Sequence, residues 1–406
     1  MFFRDIRNNS LWHARRSKIY LYAALISTCL FASPFLRPLG YSNLAMEDAN
    51  YFLSARDADD TPSPQITIQT LDQFAPQEGT YPRLCRLSDA SILLGATKFT
   101  SDGERILTVT RSTDQGKTFH PHGEVTRSRG DCDNMFLLEL PRKAGDAAVP
   151  VVLAAFRNHD LDAHGDPIYF RITISHSLDG GRSWKFLSQA YEKPAPFGLW
   201  EPFLRLNEHG DAQLYFSQEL AADDQDTMQA VSSDRGQTWS RPTAVMGTGE
   251  RLRDGMVGIA DLHDRGGQMT SVMVFETTHY GNFSLECAIS RDDGRTFGNR
   301  QLVYMAAGGK RNAGAPQIAA FADGTLVVTF MTDEDSGQMP AWPKHAHVKT
   351  VVGSLTKDGA ISWSGPFVVS EAGSFWPGVM SVDKDSILVV YENMGSVRGR
   401  MVMAKI

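Results

Sequence analysis

The most constraining feature of the chain is an eight-residue pattern, Ser-x-Asp-x-Gly-x-(Ser/Thr)-(Trp/Phe), which occurs at residues 112–119, 177–184, 232–239 and 290–297. The aspartates at its third position, Asp114, Asp179, Asp234 and Asp292, are 65, 55 and 58 residues apart. A period of this size suits a four-stranded sheet repeated around an axis. The spacing therefore predicts a β-propeller.

Each position of the pattern has a structural role. An aspartate can accept hydrogen bonds from nearby backbone N–H groups, a glycine adopts positive φ, and the terminal aromatic fills an apolar seam. A catalytic group would not need four equivalent copies, so we interpret the four aspartates as structural. A degraded fifth copy is expected at residues 354–363, which read SLTKDGAISW.

A second repeat gives the number of blades. Six times, an apolar strand is followed by a short polar turn and another apolar strand, as at residues 203–206 and 213–216. Six such hairpins predict a six-bladed all-β propeller over residues 64–406. The last blade has only a third strand at 401–405, so the segment 65–71 is expected to complete it and close the ring.

The first 36 residues differ from the rest of the chain. Five basic residues (Arg4, Arg7, Arg15, Arg16 and Lys18) precede an apolar run over residues 19–36. Such a run is typical of a signal peptide or of a signal anchor, and its length leaves both alternatives open. Either one predicts an extracellular or secretory-pathway domain, in the second case as a single-pass type II membrane protein. Residues 37–63, rich in Asp, Ala, Ser and Pro, are expected to be a linker.

Charge and motif content exclude several classes of function. The net charge of −7 comes without acidic or basic blocks in the propeller region, which argues against a nucleic-acid partner. Because nucleotide, redox and zinc motifs are missing from the sequence, neither a cofactor nor a metal is expected. For Cys85, Cys132 and Cys287, a Cys85–Cys132 disulfide and unpaired buried thiols are the alternatives. Residues 282–284 match a glycosylation sequon, and a monomer is expected.

Candidate functional residues lie at the strand ends that surround the propeller axis. The first strand of each blade is nearest the axis, so its first residues and the last residues of the second strand line one mouth of the central funnel. These positions hold Arg83, Asp133, Glu201, Asp254, Asn312 and Trp376 on the first strands, and Lys98, Arg157, Glu219, Glu276, Asp333 and Glu392 on the second. Carboxylates dominate this ring.

Two of these carboxylates are the catalytic candidates. Glu201 begins a strand between Trp200 and Pro202, and Glu276 ends an apolar strand, so both should be rigidly held and partly desolvated. Glycoside hydrolysis uses such a pair, one to attack or stabilise the anomeric carbon and one to protonate the leaving oxygen. The substrate would be an oligosaccharide or polysaccharide. The predicted substrate contacts are Arg83, Asp133, Trp200, Arg253, Asp254, Tyr280 and Trp376.

The eight-residue pattern is the Asp box, and it resembles those of sialidase-like six-bladed propellers, whose boxes lie on the face opposite the active site. The Tyr81-Pro-Arg83 segment and the segment ending in Glu392 resemble the sialidase segments that carry an arginine and its supporting glutamate. This resemblance implies an Arg83–Glu392 ion pair. Two departures weaken the sialidase interpretation: Trp376 replaces the nucleophilic tyrosine, and residues 283–290 lack the arginine that sialidases carry there.

The closer resemblance is to glycoside hydrolase family 93, the exo-α-1,5-L-arabinanases. Their Trp-Glu-Pro segment in blade 3 is similar to Trp200-Glu201-Pro202, which implies that Glu201 is the nucleophile. Glu276 is similar in position to their acid/base glutamate in blade 4. The resemblance implies retention through a covalent intermediate and a neutral arabinose unit as substrate. The alternatives are a sialidase, another propeller glycosidase, or a non-catalytic carbohydrate-binding propeller.

Overall fold

The fold is a six-bladed β-propeller, as the two sequence repeats predict. The computed structural model describes residues 65–71, 77–142, 149–263, 267–337, 342–356 and 358–405. The predicted N-terminal targeting segment and the linker over 37–63 lie outside these ranges. Within them, no helix is both long and apolar enough to cross a membrane.

The first three blades follow one another along the chain, each as a four-stranded antiparallel sheet. Blade 1 contains β3 (Thr80–Arg86), β4 (Ile92–Phe99), β5 (Arg105–Ser112) and β6 (His120–Ser128). Blade 2 contains β7 (Asp131–Glu139), β8 (Val152–Leu161), β9 (Pro167–Ser177) and β10 (Lys185–Pro194). Blade 3 contains β11 (Leu199–Leu206), β12 (Ala212–Ala221), β13 (Asp224–Ser232) and β14 (Thr243–Met246).

The remaining blades repeat this order. Blade 4 contains β15 (Gly255–His263), β16 (Met269–Tyr280), β17 (Asn282–Ser290) and β18 (Gly298–Tyr304), followed by a 3-10 turn at Ala306–Gly309. Blade 5 contains β19 (Ala313–Ala320), β20 (Leu326–Thr332), β21 (His347–Leu355) and β22 (Ile361–Ser370). Blade 6 contains β23 (Ser374–Ser381), β24 (Ser386–Asn393) and β25 (Ser396–Lys405).

The N-terminal strand closes the ring. The strand β1 (Gln65–Thr70) pairs with β25 as the outer strand of blade 6, and the short strand β2 (Gln77–Glu78) pairs with β25 as well. The last blade is thus built from both ends of the propeller, as expected from its missing fourth strand. This arrangement protects the edge that β25 would otherwise leave open.

The apolar core lies in the six seams between neighbouring blades. Each neighbouring pair shares one cluster of buried side chains, because the second strands present alternate residues to the blades on either side. Val274 of blade 4 and Val328 of blade 5, for example, are fully buried in one seam. Burial on both faces explains why the inner strands are nearly continuous apolar runs in the sequence.

The Asp boxes connect the third and fourth strands of blades 1 to 4. In the first copy, Asp114 accepts the backbone N–H of Thr118 at 3.0 Å and its hydroxyl at 2.6 Å. The other three copies repeat both bonds. Antiparallel strand order places these turns on the face opposite the starts of the first strands. The expected fifth copy does not form this clasp, since Asp358 accepts the Thr356 hydroxyl within a tight hairpin turn.

The three cysteines of the propeller are buried free thiols, so the structure does not adopt the Cys85–Cys132 disulfide. The sequon residues are engaged within the fold: Asn282 donates its side-chain N–H to the Gly309 carbonyl at 2.8 Å, and Ser284 is fully buried. A glycan on Asn282 would have to replace that hydrogen bond.

All six first strands carry a β-bulge that the sequence analysis did not anticipate. One non-glycine residue in each blade has a φ between 44° and 56°, at the point where the first strand shifts register against the second. These residues are Tyr81, Asn134, Glu201, Met256, Ala315 and Trp376. A bulge re-aims the side chain at its strained position, and bulges often occur beside active sites. The six bulges therefore define the floor of the funnel.

Candidate active site

Glu201 occupies the bulge of blade 3. Its φ of 44° lies in the left-handed region, which an ordinary side chain adopts only when the surrounding structure enforces it. Pro202 follows it and fits the bulge because a proline has no N–H to place in the ladder. The side chain is partly accessible, on the innermost strand of the blade.

Glu276 lies in the next blade, on the second strand. It pairs with Gly255 at the register shift of β15, and its side chain is also partly accessible. Its Oε2 accepts the backbone N–H of Ala315, the bulge residue of blade 5, at 2.8 Å. Gly314 has no side chain that would block this approach, since a Cβ there would lie 2.6 Å from Oε2 of Glu276.

The two carboxyl groups are close enough to interact electrically. Burial raises the pKa of Glu201 to about 8, and the charge of Glu276 contributes to this rise. Burial likewise raises the pKa of Glu276 to about 7, although the N–H of Ala315 opposes the shift. Two like charges in one site disfavour double ionisation, so the pair holds one shared proton near neutral pH. A nucleophile and an acid need this combined charge state.

Two arginines stand beside the pair and favour its ionised forms. Arg157 lowers the pKa of Glu201, whereas Arg253 lowers the pKa of both glutamates. Arg157 is fixed by bonds to Asp131 at 3.0 Å and to Asn134 at 2.6 Å, and it lies over the Trp200 ring at 5.1 Å.

Arg253 is equally well fixed, because it donates to Glu219 and to Gln225, both at 3.0 Å. A third bond joins it to the carbonyl of Ala222 at 3.0 Å. Three of its N–H donors are thus bound within the protein, and its effect on the two glutamates is electrostatic.

Arg83 does not reach the funnel surface. Only 2% of it is exposed, and its Nη1 donates to the carbonyls of Pro82, Trp376 and Pro377. The expected Arg83–Glu392 ion pair is not among the contacts of the described residues. The bulge at Tyr81 carries the guanidinium under the Tyr81 ring, 3.8 Å from its centroid, while Glu392 accepts the Thr80 hydroxyl.

Three other predicted substrate contacts are engaged inside the protein. Asp133 is buried between Thr97, Arg105 and Arg157. Asp254 is 0% exposed and accepts Arg300 at 2.6 Å, so it has no surface to offer a ligand. The Tyr280 hydroxyl donates to Glu286 on the third strand of blade 4 at 2.9 Å, away from the innermost strand.

The aromatic candidates divide into two groups. Trp200 packs edge-on against His159, with ring centroids 5.3 Å apart, and so faces blade 2. Trp376 is a partly accessible bulge residue and lies 6.3 Å from the Tyr81 ring. Trp342, which with Trp200, Tyr280 and Trp376 is expected from the sequence to offer a flat apolar face to a sugar ring, also lies here: a Cβ on Gly314 would be 3.1 Å from its indole. No sequence repeat identifies Trp342, because it lies in the connection between β20 and β21.

The described residues contain no group of three or more His, Cys, Asp or Glu side chains arranged to hold a metal.

A separate cavity of about 640 Å³ occupies the other end of the central channel. The later halves of all six first strands line it, mostly with apolar side chains, and neither catalytic candidate is among the lining residues. The two glutamates lie at the bulged end of the channel, away from this cavity.

Comparison with solved structures relates this fold to known propellers. The Penicillium chrysogenum α-L-arabinanase bound to arabinobiose matches with a TM-score of 0.61 and 19% identity, over 85% of this chain and 98% of that one. The family 93 α-L-arabinofuranosidase of Fusarium graminearum with arabinobiose matches with a TM-score of 0.59 and 19% identity, over 82% and 97%. A Dyadobacter fermentans protein of unknown function matches with a TM-score of 0.59 and 15% identity, over 85% and 100%.

The sequence itself gives no comparable relationship, since no family model and no curated protein matches it significantly. At these levels of identity, the structural matches show a shared fold and leave the chemistry to the site. The chain has the six-bladed propeller fold of these proteins, and its structural neighbours include family 93 arabinofuranosidase and arabinanase structures, in agreement with the resemblance of its sequence.

Proposed function

We propose that this protein is a retaining glycoside hydrolase of the exo-α-1,5-L-arabinanase type. The observation that carries the proposal is the pair Glu201 and Glu276: two partly accessible carboxyls on neighbouring blades, each with a raised pKa. Such a pair retains a proton near neutral pH, and retaining hydrolysis requires that this proton lie on Glu276 while Glu201 is ionised.

The reaction would take place in two displacements. A carboxylate oxygen of Glu201 bonds to the anomeric carbon while the glycosidic C–O bond breaks, and the leaving oxygen takes its proton from Glu276. Water then attacks the same carbon, gives its proton to the Glu276 carboxylate and releases Glu201. Each step returns the site to its starting charge, and no cofactor takes part.

A neutral sugar fits the site better than an acidic one. Binding of a sugar carboxylate calls for arginine donors that are free to face it. In the described funnel, Arg83 is buried under Tyr81, and Arg157 and Arg253 are each bound to protein oxygens. This arrangement favours arabinose over sialic acid. The arabinose-containing ligands of the Penicillium and Fusarium structures point to the same class of substrate.

We further propose that the propeller acts outside the cytosol as a monomer on an oligosaccharide or polysaccharide. This part of the proposal depends on the basic and apolar N-terminal sequence and on the presence of all six blades in one chain. Size-exclusion chromatography with light scattering, together with N-terminal sequencing of the protein recovered from culture medium or membranes, tests it. A cytosolic full-length protein would contradict the proposed location.

The central experiment incubates the purified protein with linear α-1,5-arabinan and with a sialoside, beside Glu201→Ala and Glu276→Ala. Release of arabinose or arabinobiose by the wild type only is the expected result. Azide added with an aryl arabinofuranoside, whose acidic phenol leaves without protonation, then assigns the two roles. It should give the inverted arabinosyl azide with Glu201→Ala, by direct displacement, and the retained one with Glu276→Ala, by attack on the covalent intermediate. Sialic acid release would overturn the proposal, and binding without cleavage would make the propeller a carbohydrate-binding module.

A further inference from the structure

Gly314, on the first strand of blade 5, marks a point where two functional groups meet. A Cβ built there would lie 2.6 Å from Oε2 of Glu276, and 3.1 and 3.3 Å from Cζ2 and Cη2 of Trp342. Both groups therefore occupy the space that a larger residue would need. The edge of the indole and the carboxyl group thus border the same small space, which is open because this position has no side chain.

Apolar side chains pack against Trp342. It packs against a buried cluster that contains three bulge residues of the funnel floor, Tyr81, Met256 and Ala315, together with Met331. Phe375 and Trp376 border the same cluster. The indole thus belongs to an apolar surface built from several blades, which approaches Glu276 at Gly314.

Two of the polar groups that face Glu276 oppose a neutral carboxyl. Arg253 and the N–H of Ala315 both favour its charged form, and burial raises its pKa to about 7 against them. Glu201 is the like charge on the neighbouring blade. The remaining charged groups nearby, Asp254 and Glu286, are both bound to Arg300. Besides repulsion from Glu201, removal of water by an adjacent apolar surface favours the neutral carboxyl, and burial is the largest cause of the raised pKa of Glu276.

We propose that Trp342 is the positioning residue of the general acid: its indole is the water-excluding wall against which Glu276 is held, and Gly314 provides the space in which the two meet. The chemical principle is that a carboxyl group in contact with an indole loses hydration of its anion and keeps its proton to higher pH. This inference deepens the proposed function and depends on it only for the catalytic consequence.

A substrate-free titration tests the contact itself. In the full chain carrying Glu201→Gln, Glu276 no longer shares a proton, and the infrared band of its protonated carboxyl gives its titration midpoint. Adding Trp342→Ala should lower that midpoint by about one pH unit, a tenfold change in the protonated fraction above it. Adding Trp342→Phe should lower it less. An unchanged midpoint in the folded Trp342→Ala protein would overturn the inference.

Blade 5 offers a matched control. A Cβ on Gly353 would lie 2.5 Å from the Trp363 ring, so Gly353 and Trp363 repeat the glycine–indole contact away from the two glutamates. Trp363→Ala should leave the midpoint in place. Near-ultraviolet circular dichroism establishes that each variant is folded. If Trp342→Ala does not fold, the comparison of Trp342→Phe with Trp363→Phe decides the question in the same way.

Kinetics then separates positioning from sugar stacking. With arabinobiose, Trp342→Ala should move the alkaline limb of kcat/KM to lower pH by about one unit, as the midpoint does. A raised KM with an unmoved limb would make Trp342 a stacking residue and overturn the inference. If the wild type cleaves no arabinoside, the proposed function fails, whereas the infrared titration still decides the role of Trp342.

Discussion

Oε2 of Glu276 accepts the backbone N–H of Ala315 at 2.8 Å, which ties the carboxyl of blade 4 to the bulge of blade 5. The same link recurs around the propeller. Ser217 of blade 3 accepts the bulge N–H of Met256 at 3.0 Å. The Met331 sulfur of blade 5 likewise accepts the bulge N–H of Trp376 at 3.5 Å. The acid/base candidate thus occupies a repeated structural position at which an acceptor of one blade holds the bulge of the next.

Glu276→Gln is expected to slow hydrolysis according to the leaving group. A positioned general acid contributes about 10² to 10⁴ in rate, so arabinobiose should be cleaved slower by this factor. An aryl arabinofuranoside with an acidic phenol needs little protonation, and its first step should change far less. Burst kinetics on both substrates measures the difference. An equal loss on both substrates would contradict the assignment of Glu276 as the acid.

Glu276→Gln should also lower the pKa of Glu201. Burial is the larger cause of the value of about 8 and remains in the variant, but the repulsion from Glu276 disappears. The infrared carboxyl titration of the variant should therefore give a midpoint for Glu201 below that of the wild-type pair. Conservation of the wild-type midpoint would mean that the two carboxyls do not interact.

Gly314→Ala should impair both stability and activity, because its Cβ would lie 2.6 Å from Oε2 of Glu276. Forcing a methyl group into a packed site typically costs about 1–3 kcal/mol. Gly298→Ala is the matched control, since a Cβ there meets nothing within 4 Å. Urea unfolding and turnover of both variants make the comparison. Equal stability of the two variants would show that the site around Gly314 can relax.

Asp226→Asn is expected to stabilise the protein at neutral pH. Burial, followed by the charges of Asp224 and Asp254, raises the pKa of Asp226 to about 6, and its Oδ1 has no hydrogen-bond partner. A folded-state pKa above the unfolded value of about 3.9 means that stability falls as pH rises from about 4 to about 6. The stability of the Asp226→Asn variant should not fall with pH in this way.

Thermal unfolding of Asp226→Asn from pH 4 to pH 8, with the exposed Asp385→Asn as control, checks this expectation. The Asp226 variant should differ from the wild type progressively more above pH 4 and reach a constant gain above pH 6. A gain that does not depend on pH would rule out ionisation of Asp226 as the cause.

Asp179→Asn should change the pH dependence of stability in the acidic range, in the opposite direction to Asp226→Asn. Burial alone would raise the pKa of Asp179, but the bonds from Ser183 and Ser177 outweigh it and lower the pKa to about 2. This clasp therefore stabilises the fold above about pH 4 and loses its contribution as pH falls to about 2. We expect a loss of about 1 kcal/mol in the variant at neutral pH and unchanged turnover, because the Asp box lies on the face opposite the funnel. A loss of turnover in the folded variant would contradict a purely structural role.

The repeats of the sequence determine the fold. The Asp boxes and the six apolar hairpins identify four-stranded blades because backbone hydrogen bonding and burial in a blade are local in the chain. Ring closure by β1 follows from counting strands. The six apolar hairpins also mark where each strand begins and ends. Glu201 and Glu276 could therefore be selected as strand-end carboxylates before their surroundings were known.

Only the tertiary structure decided which residues around the two glutamates are free to act. Arg83, Asp133 and Asp254 lie near funnel positions along the chain, yet partners from other strands and blades bury all three. The six bulges left one signal in the sequence, the prolines after Tyr81, Glu201, Ala315 and Trp376, but their positive φ values come from packing around the axis. Trp342 and Glu276 border the same space beside Gly314 although 66 positions of the sequence separate them, and no local pattern contains this approach because the packing of blade 5 against blade 4 causes it.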